Sequence, residues 1–214
     1  MAVLAAGVCL GQGSDELLAR LDRFAKTFHG MKAAIRTTNH IAGLEIDEHE
    51  SGSMALKRDS AKKFEMMIAI GGANAETVVL REQLVDIYKP KLDEIQEYDV
   101  RKYKDIAQQL FQLGFGVAGS ELAKAYDIGQ VRREAVDHEN ATYVELTPRS
   151  AEVRKLLSKV ELWISDKTDC AIRQKFYFPD GGYRLAEFSD LLVNPNLPAS
   201  TFELPKSAKK VRVN

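Results

Sequence analysis

The spacing of apolar residues changes along the chain, and each change marks a different kind of element. Residues 14–28 carry leucine and phenylalanine at helical spacing, with Leu17 and Leu21 on one face. From residue 29 to residue 99 the spacing becomes two, as in KKFEMMIAI, where alternate residues are apolar. The pattern therefore predicts an amphipathic helix followed by about six strands.

Helical spacing returns between residues 100 and 127 and is then lost again. One amphipathic helix ends at Gly114, and a second short helix follows that Ser120 can cap. Alternation then predicts about five more strands and a tail that lies along a sheet edge. Short connections favour antiparallel neighbours in chain order. The fold class is α+β, a single curved antiparallel sheet with helices packed on one side.

Composition narrows the function classes. The chain has 214 residues, of which 45% are apolar, which suffices for one sizeable core in one or two domains. The formal net charge is −1, with both signs interspersed along the sequence. A dominant basic field is absent, so a nucleic-acid-binding protein is disfavoured.

The first thirteen residues have the character of an export signal. Ala2 to Leu10 form an apolar run the size of a signal-peptide core, and small residues precede Ser14. The run is too short to span a bilayer, and no Lys or Arg precedes it. We interpret residues 1–13 as a signal peptide whose start is truncated, with a short buried strand as the alternative. A soluble exported protein is expected, in which Cys170 is a single buried thiol.

Three glycines raise the question of a nucleotide cofactor. Gly114, Gly116 and Gly119 have the spacing of a dinucleotide-binding turn. That turn follows a buried parallel strand, whereas the preceding RKYKDIAQQLFQL is charged and amphipathic. Zinc-protease spacing, a nucleophile elbow and a Cys-x-x-Cys motif are also missing. The sequence thus predicts no cofactor, no metal and no enzymatic activity, and a nucleotide-dependent enzyme is a remote alternative.

Several local motifs, in order, resemble the LolA family, the periplasmic carriers of outer-membrane lipoproteins. They are SGSMALKR, VVLREQLVDIYKPKLDEIQEYDV, VELTPRS, VELWISDKTDCAIRQKFYFPDG and VNPNLPASTFELP. The resemblance extends from Leu17 to Val213. None of these motifs is specific by itself, and the case rests on their common order and spacing.

The resemblance implies an incomplete β-barrel of about eleven strands with an N-terminal helix. A helical lid at about 100–127 would close an apolar cavity within one domain, residues 14–214. The implied function is that of a periplasmic, monomeric carrier of lipoprotein acyl chains between an inner-membrane releasing complex and an outer-membrane acceptor. A lipid or glycolipid carrier, or a lipid-binding sensor on the same fold, is the alternative.

Individual residues receive expected roles from this hypothesis. Arg58 matches the family's basic residue that latches the lid, although Asp59 follows it where the family often has proline. Gly114, Gly116 and Gly119 are expected to form the hinge of the lid. An ordinary core is the alternative for each apolar residue. The expected wall and lid residues are Phe64, Met66, Ile68, Ile106, Leu110, Phe111, Leu113, Phe115, Val117 and Leu122.

Overall fold

The computed structural model describes residues 9–60, 63–81, 83–103, 110 and 112–213. Within these ranges there are three α-helices: α1 (Cys9–Thr27), α2 (Gly119–Ala125) and α3 (Ala151–Arg154). Three short 3-10 turns occur at Pro90–Leu92, Arg101–Tyr103 and Ala199–Phe202. The strands are β1 (Gly30–Ile41), β2 (Ile46–Ser60), β3 (Lys63–Ile70), β4 (Glu76–Arg81), β5 (Leu84–Lys89), β6 (Glu94–Asp99), β7 (Tyr126–Val136), β8 (Glu139–Pro148), β9 (Lys159–Ser165), β10 (Ala171–Tyr177), β11 (Tyr183–Val193) and β12 (Lys209–Val213).

The twelve described strands form one sheet in the order β12-β6-β5-β4-β3-β2-β1-β11-β10-β9-β8-β7. Neighbours in the sheet are mostly neighbours in the chain, and their pairing is antiparallel within β2–β6 and within β7–β10. The sheet is open, as an incomplete barrel with a few helices requires. The predicted α+β class is therefore confirmed, with twelve strands instead of about eleven. The additional strand is β12, which pairs parallel to β6 at the sheet edge.

Internal contacts divide the chain into two compact units. The first comprises the described residues of Met1–Thr27, Asn39–Asp47 and Gly114–Leu185. The second comprises those of Phe28–Thr38, Glu48–Leu113 and Ala186–Asn214.

The core of the first unit forms where α1 and α2 contact each other and the strand β7. Leu17 and Leu21 of α1 are buried, as the helical spacing predicts, together with Leu122 of α2. Val144 and Leu162, which pair across β8 and β9, are shielded from water as well. Apolar residues of helix and strand thus close the interior of this unit.

The boundaries of α1 differ from the predicted range 14–28. The helix begins at Cys9, so it includes the last residues of the expected signal peptide, and it ends at Thr27. Phe28 continues the helical spacing but lies outside the helix, where its ring faces the Arg58 guanidinium in the second unit. Periodicity extends the predicted helix by one residue because Phe28 is apolar and buried although it lies beyond the end of α1.

The second unit builds its core on both faces of β2 to β4. On one face Leu56, Met66 and Leu80 lie side by side, since Leu56 pairs with Met66 and Met66 with Leu80. On the other face the chain after β11 packs against the sheet and buries the side chain of Phe202. Consecutive apolar residues occur at 54–56, 66–70 and 78–80, in keeping with a sheet that is covered on both sides.

Candidate functional site

Three of the expected wall residues share one face of β3. Phe64, Met66 and Ile68 alternate along the strand, and successive side chains of a strand point to opposite faces. Phe64 and Met66 are buried, and Ile68 is half-buried. The structure therefore brings these three predicted residues together, on the face opposite to Met67.

Strand pairing extends this surface to both sides of β3. Met66 lies between Leu56 of β2 and Leu80 of β4. Ile68 lies between Met54 and Val78 in the same way. Residues directly opposite each other in a ladder have side chains on the same face of the sheet. The paired set is therefore aliphatic or thioether at every one of these positions.

The next strand continues the same surface. Val85 pairs with Leu80, and Ile87 pairs with Val78. We call the whole set the apolar face. Its members are Met54, Leu56, Phe64, Met66, Ile68, Val78, Leu80, Val85 and Ile87.

Exposure varies across the apolar face in an ordered way. Its centre is closed to water, with Leu56 and Met66 at 0% exposure. Ile68, Val78, Val85 and Ile87 are half-buried, and they lie next to one another in the ladder. A hydrocarbon ligand could cover the aliphatic surface that is still exposed to water. Burial of such surface is favourable without any polar partner.

Most of this surface was not predicted from the sequence. Leu56, Val78, Leu80, Val85 and Ile87 were absent from the expected wall. The alternation of side chains along each strand could have identified them. Once the hairpins fix the pairing of β3 with β4 and of β4 with β5, every second residue of β4 and β5 lies on the same face as Met66.

The opposite face of the same strands is an ordinary core. Met67 packs against a cluster that includes Ala55, Val79, Leu197 and Phe202. The guanidinium of Arg81 donates a hydrogen bond to the carbonyl oxygen of Phe202. The chain after β11 thus covers this face from within the same unit, and Met66 and Met67 serve different surfaces.

The expected lid residues fall into three groups. Leu113 is buried in the second unit, while Phe115 and Leu122 are buried in the first. Leu110 and Val117 are half-buried. Ile106 and Phe111 lie outside the described residues.

Arg58, the expected latch, lies at the edge of the apolar face. It pairs with Phe64 across β2 and β3, and its guanidinium carbon is 5.6 Å from the centre of the Phe28 ring. Its backbone N–H donates a 2.8 Å hydrogen bond to the carbonyl oxygen of His29. Phe28 thus supplies a cation–π contact for the guanidinium.

Glycine is required at positions 114, 116 and 119 for different structural reasons. Gly114 and Gly116 have positive φ angles of 85° and 70°, which other residues adopt at a cost. Gly119 begins α2, and a Cβ atom there would lie 2.1 Å from the carbonyl oxygen of Leu18 in α1. The strand that follows α2, β7, is antiparallel to β8. Tight turns and close helix packing therefore account for the spacing that resembles a dinucleotide motif.

The cap of α2 corrects one expectation. The N-cap position is Ala118, and no side chain of the helix itself caps it. Instead, the Asp22 carboxylate of α1 accepts hydrogen bonds from the Ser120 backbone N–H at 3.0 Å and from its hydroxyl at 2.9 Å. The backbone hydrogen bond from Ser120, followed by that from its hydroxyl, lowers the pKa of Asp22. Ser120 is thus bound by the capping group and does not supply it.

A cluster of hydrogen-bonded titratable side chains lies on β8 to β10. Tyr143 and Tyr177 donate hydrogen bonds of 3.0 and 2.9 Å to the Glu161 carboxylate, and the Lys159 ammonium is 2.8 Å from it. Burial raises the pKa of Glu161, but these three hydrogen bonds outweigh it and lower the pKa. Burial and the bond to Glu161 raise the pKa of Tyr177 to about 12. Both carboxylate oxygens are occupied, so this cluster stabilises the unit and offers no free base.

Nucleophile and metal chemistry find little support in the described part of the chain. Cys170 is fully buried, and burial raises the pKa of its thiol to about 12, far from a reactive thiolate. Among the described residues, no group of three or more His, Cys, Asp or Glu side chains could hold a metal ion. The described helices also include none that is long and apolar enough to cross a membrane.

Two concavities are lined by residues other than the members of the apolar face. A broad depression of about 470 Å³ surrounds Gly52 and is lined mostly by small residues such as Ala34 and Ala69. A pocket of about 100 Å³ between α1 and β7 is lined by Arg20 and Arg133, among others. Both of these arginines already pair with Asp166, at 2.8 and 3.0 Å. An anion would have to compete with that carboxylate.

Comparison by sequence finds no family model and no curated protein that matches the chain. Comparison by structure finds an uncharacterized conserved protein from Thermus thermophilus, with 13% identity and a TM-score of 0.58, covering 94% of this chain and 100% of that one. A second match is MucB, with 12% identity and a TM-score of 0.56, covering 92% of this chain and 64% of MucB. This chain therefore spans about two thirds of the MucB chain.

MucB is also matched in its complex with MucA from Pseudomonas aeruginosa, at 16% identity and a TM-score of 0.53, covering 95% of this chain and 64% of that one. A LolA superfamily protein from Nitrosomonas europaea is a weaker match, with 13% identity, a TM-score of 0.39 and coverage of 89% of this chain and 97% of that one. The chain shares its fold with the Thermus thermophilus protein and with MucB. At these identities the likeness concerns the fold alone.

Proposed function

We propose that this protein is a non-enzymatic carrier that binds the acyl chains of lipoproteins and delivers them to the outer membrane. The observation that carries the proposal is the apolar face, where half-buried Ile68, Val78, Val85 and Ile87 adjoin a fully buried centre. The resemblance to the lipoprotein carriers adds the direction of transport.

The physical basis is the burial of hydrocarbon. An acyl chain gains about 0.8 kcal/mol for each CH₂ group that leaves water. A dozen methylenes therefore supply most of a micromolar affinity after the cost of ordering the chain is subtracted. Such a ligand needs volume and exclusion of water, and methionine at positions 54 and 66 adapts to different chain lengths.

The lid is part of the same proposal. Residues of about 100–127 would cover the bound acyl chain through Ile106, Leu110, Phe111, Leu113, Phe115, Val117 and Leu122. Gly114, Gly116 and Gly119 would form its hinge, and Arg58 would hold it closed. Ligand binding would shift a pre-existing equilibrium between closed and open lid, so the lid has to be marginally stable.

The cellular setting follows from the same hypothesis. Residues 1–13 would direct export, and the monomeric domain of residues 14–214 would act in the periplasm. Its partners would be an inner-membrane releasing complex and an outer-membrane acceptor. It would need no cofactor, no metal and no nucleic acid.

Val78 and Thr77 allow a matched test of the proposal. They are adjacent in β4 and both half-buried, but they lie on opposite faces of the strand. Val78→Asn is expected to weaken the binding of a fluorescent sixteen-carbon fatty acid at least tenfold, because it places an amide in the apolar face. Thr77→Asn is expected to bind within twofold of the unchanged protein. Equal affinities of the two variants would contradict a site on this face.

Native mass spectrometry identifies the cargo. Protein isolated from its own periplasm is expected to carry a lipoprotein, seen as a mass increment that disappears after extraction with detergent. An empty protein that binds a nicotinamide cofactor would overturn the carrier proposal in favour of a nucleotide-dependent enzyme.

A lipid-binding sensor or a carrier of another lipid is the second candidate. The likeness to MucB supports the sensor, since MucB is solved in complex with a protein partner, MucA. A sensor would release or bind a protein partner when lipid is added, without transferring the lipid to acceptor membranes. Transfer of a radiolabelled lipoprotein to outer-membrane vesicles separates the two candidates.

A further inference from the structure

The turn between β1 and β2 carries a cluster of exposed apolar side chains. Leu44 is 65% exposed, Ile46 48% and Ile41 37%. Among the described residues, only three other large apolar side chains are exposed to this degree, and they are far apart in sequence: Leu92, Leu156 and Leu192. We call the segment from Ile41 to Ile46 the apolar tip.

The backbone of the apolar tip presents these side chains outward. The Leu44 N–H donates a 3.4 Å hydrogen bond to the carbonyl oxygen of Ile41, which closes the turn. Gly43 has a φ of 79°, and nothing lies within 4 Å of the position of a Cβ atom there. Turn residues are ordinarily polar because nothing shields them from water. The apolar tip departs from that rule at the point where the backbone is most open.

The base of the apolar tip is anchored on one side. The His40 Nδ1 atom is 2.8 Å from an Asp47 carboxylate oxygen, and the His40 ring stacks on Tyr183 with 4.9 Å between ring centres. The turn between β10 and β11 approaches from the same side, where a Cβ atom on Gly181 would lie 3.6 Å from that of Ala42. Because the base of the apolar tip is held in place, the tip loses less conformational entropy when a partner binds its exposed apex.

Charge identifies the kind of partner. Residues 39–50 contain four carboxylates, including Glu45 and Asp47, and no Lys or Arg. The Glu45 side chain is 81% exposed. Anionic bilayer surfaces attract basic segments and repel acidic ones, so this charge pattern disfavours insertion into a membrane. An apolar apex between carboxylates complements a protein pocket that is apolar at its centre and basic at its rim.

We propose that the apolar tip is a docking site for a second protein, which receives Leu44 in an apolar pocket rimmed by Lys or Arg. Leu44 would act as the buried anchor, and Glu45 would orient the encounter. The proposal does not depend on what the apolar face binds.

Leu92 provides a matched control, since it is 66% exposed in the turn between β5 and β6. A photo-crosslinking amino acid is placed at position 44 or 92 of the full chain in its own cells. The protein that crosslinks only from position 44 is then purified, and its affinity is measured for the unchanged chain, Leu44→Ser and Leu92→Ser. The expected result is a loss of at least tenfold for Leu44→Ser and less than twofold for Leu92→Ser, with unchanged thermal midpoints.

A charge variant tests the role of Glu45, and two further measurements test whether a membrane or a second copy of the chain binds the apolar tip. Glu45→Lys is expected to weaken the complex at least threefold at low salt and to flatten its salt dependence. Absence of a specific crosslink at position 44, or equal losses in both serine variants, would overturn the proposal. So would flotation with vesicles of phosphatidylethanolamine and phosphatidylglycerol that Leu44→Ser abolishes, or self-association of the chain that the same variant abolishes.

Discussion

At the scale of single residues, Asp166 connects three side chains of the first unit. Its carboxylate accepts hydrogen bonds from Arg20 at 2.8 Å, Thr142 at 2.9 Å and Arg133 at 3.0 Å. Burial raises the pKa of Asp166, but the hydrogen bonds from Arg20 and Thr142 and the two arginine charges outweigh it and hold the pKa below its usual range. This single carboxylate ties α1 to the strands beneath it.

Because the folded pKa of Asp166 is lowered, its contribution to stability is complete above about pH 5, where the unfolded carboxyl is also ionised, and is lost as the pH falls through the folded pKa. We expect Asp166→Asn to reduce the free energy of unfolding at pH 7 by on the order of 1–3 kcal/mol, since an amide satisfies the two arginines poorly. At pH 2 the difference from the unchanged protein is expected to shrink. Urea denaturation at pH 7 and at pH 2 measures both values.

Asp59→Asn is the control for this prediction. Asp59 is exposed, and its carboxylate is 3.9 Å from the Lys57 ammonium. Exposed pairs of this kind contribute little, so the change in unfolding free energy is expected to stay within about 0.5 kcal/mol. A difference for Asp166→Asn that is the same at pH 2 and pH 7 would show that the carboxylate acts through its shape and not through its charge.

At the scale of elements, the packing of α1 on α2 depends on the absence of a side chain at Gly119. The Leu18 carbonyl oxygen is backbone and cannot rotate away from the 2.1 Å position that a Cβ atom would require. Gly119→Ala is expected to lower the free energy of unfolding by about 1–3 kcal/mol through overpacking of the two helices. Gly71→Ala, where the nearest atom would be at 3.7 Å, is the control and is expected to change it by less than about 1 kcal/mol. Thermal unfolding of both variants measures the difference.

The result for Gly119 also bears on the proposed hinge. A hinge glycine permits bending, whereas a packing glycine permits close approach. If Gly119→Ala leaves stability unchanged but slows the release of an acyl probe, bending is the property that matters. If stability falls and the release rate of the folded protein is unaffected, close packing is sufficient to explain the residue.

The elements also show where sequence was informative. Alternation in KKFEMMIAI placed Phe64, Met66 and Ile68 on one face because strand parity is a local property. The acid that caps α2 was not predictable, since Asp22 lies 98 residues from Ser120 in the chain. Phe28 misled for a related reason, because it is buried and continues the spacing of α1 although it belongs to the second unit. Local periodicity thus defines which residues share a face, while long-range partners decide which face is covered.

The same limit applies to the candidate site. Val85 and Ile87 join the apolar face only because β5 pairs with β4 in a register that sets Val85 opposite Leu80. Sequence distinguishes the apolar from the polar residues of β5 but not the strand against which each is placed. A family resemblance supplied the idea of an acyl cavity, and the strand register supplied most of the residues that could form its wall.

At the scale of the whole molecule, a carrier and an ordinary core differ in how stability responds to ligand. A ligand that binds only the folded protein raises the free energy of unfolding by RT ln(1 + [L]/Kd), or about 2.7 kcal/mol at a hundredfold excess over Kd. We therefore expect the delipidated protein, a chain of 214 residues, to show a thermal midpoint roughly 5–10 °C higher when a sixteen-carbon fatty acid is added at that excess.

The two β4 variants make this response specific to the apolar face. Thr77→Asn is expected to retain the shift in thermal midpoint, and Val78→Asn is expected to lose it while still unfolding in a cooperative transition. A shift of equal size in both variants would place the fatty acid elsewhere on the molecule. A further outcome is that the unchanged protein shows no shift at fatty-acid concentrations equal to those at which the fluorescent probe saturates it. That result would mean that the protein binds the fluorophore of the probe and not its acyl chain. A shift that depends on Val78 and not on Thr77 would therefore distinguish a surface that binds hydrocarbon from a core that only excludes water.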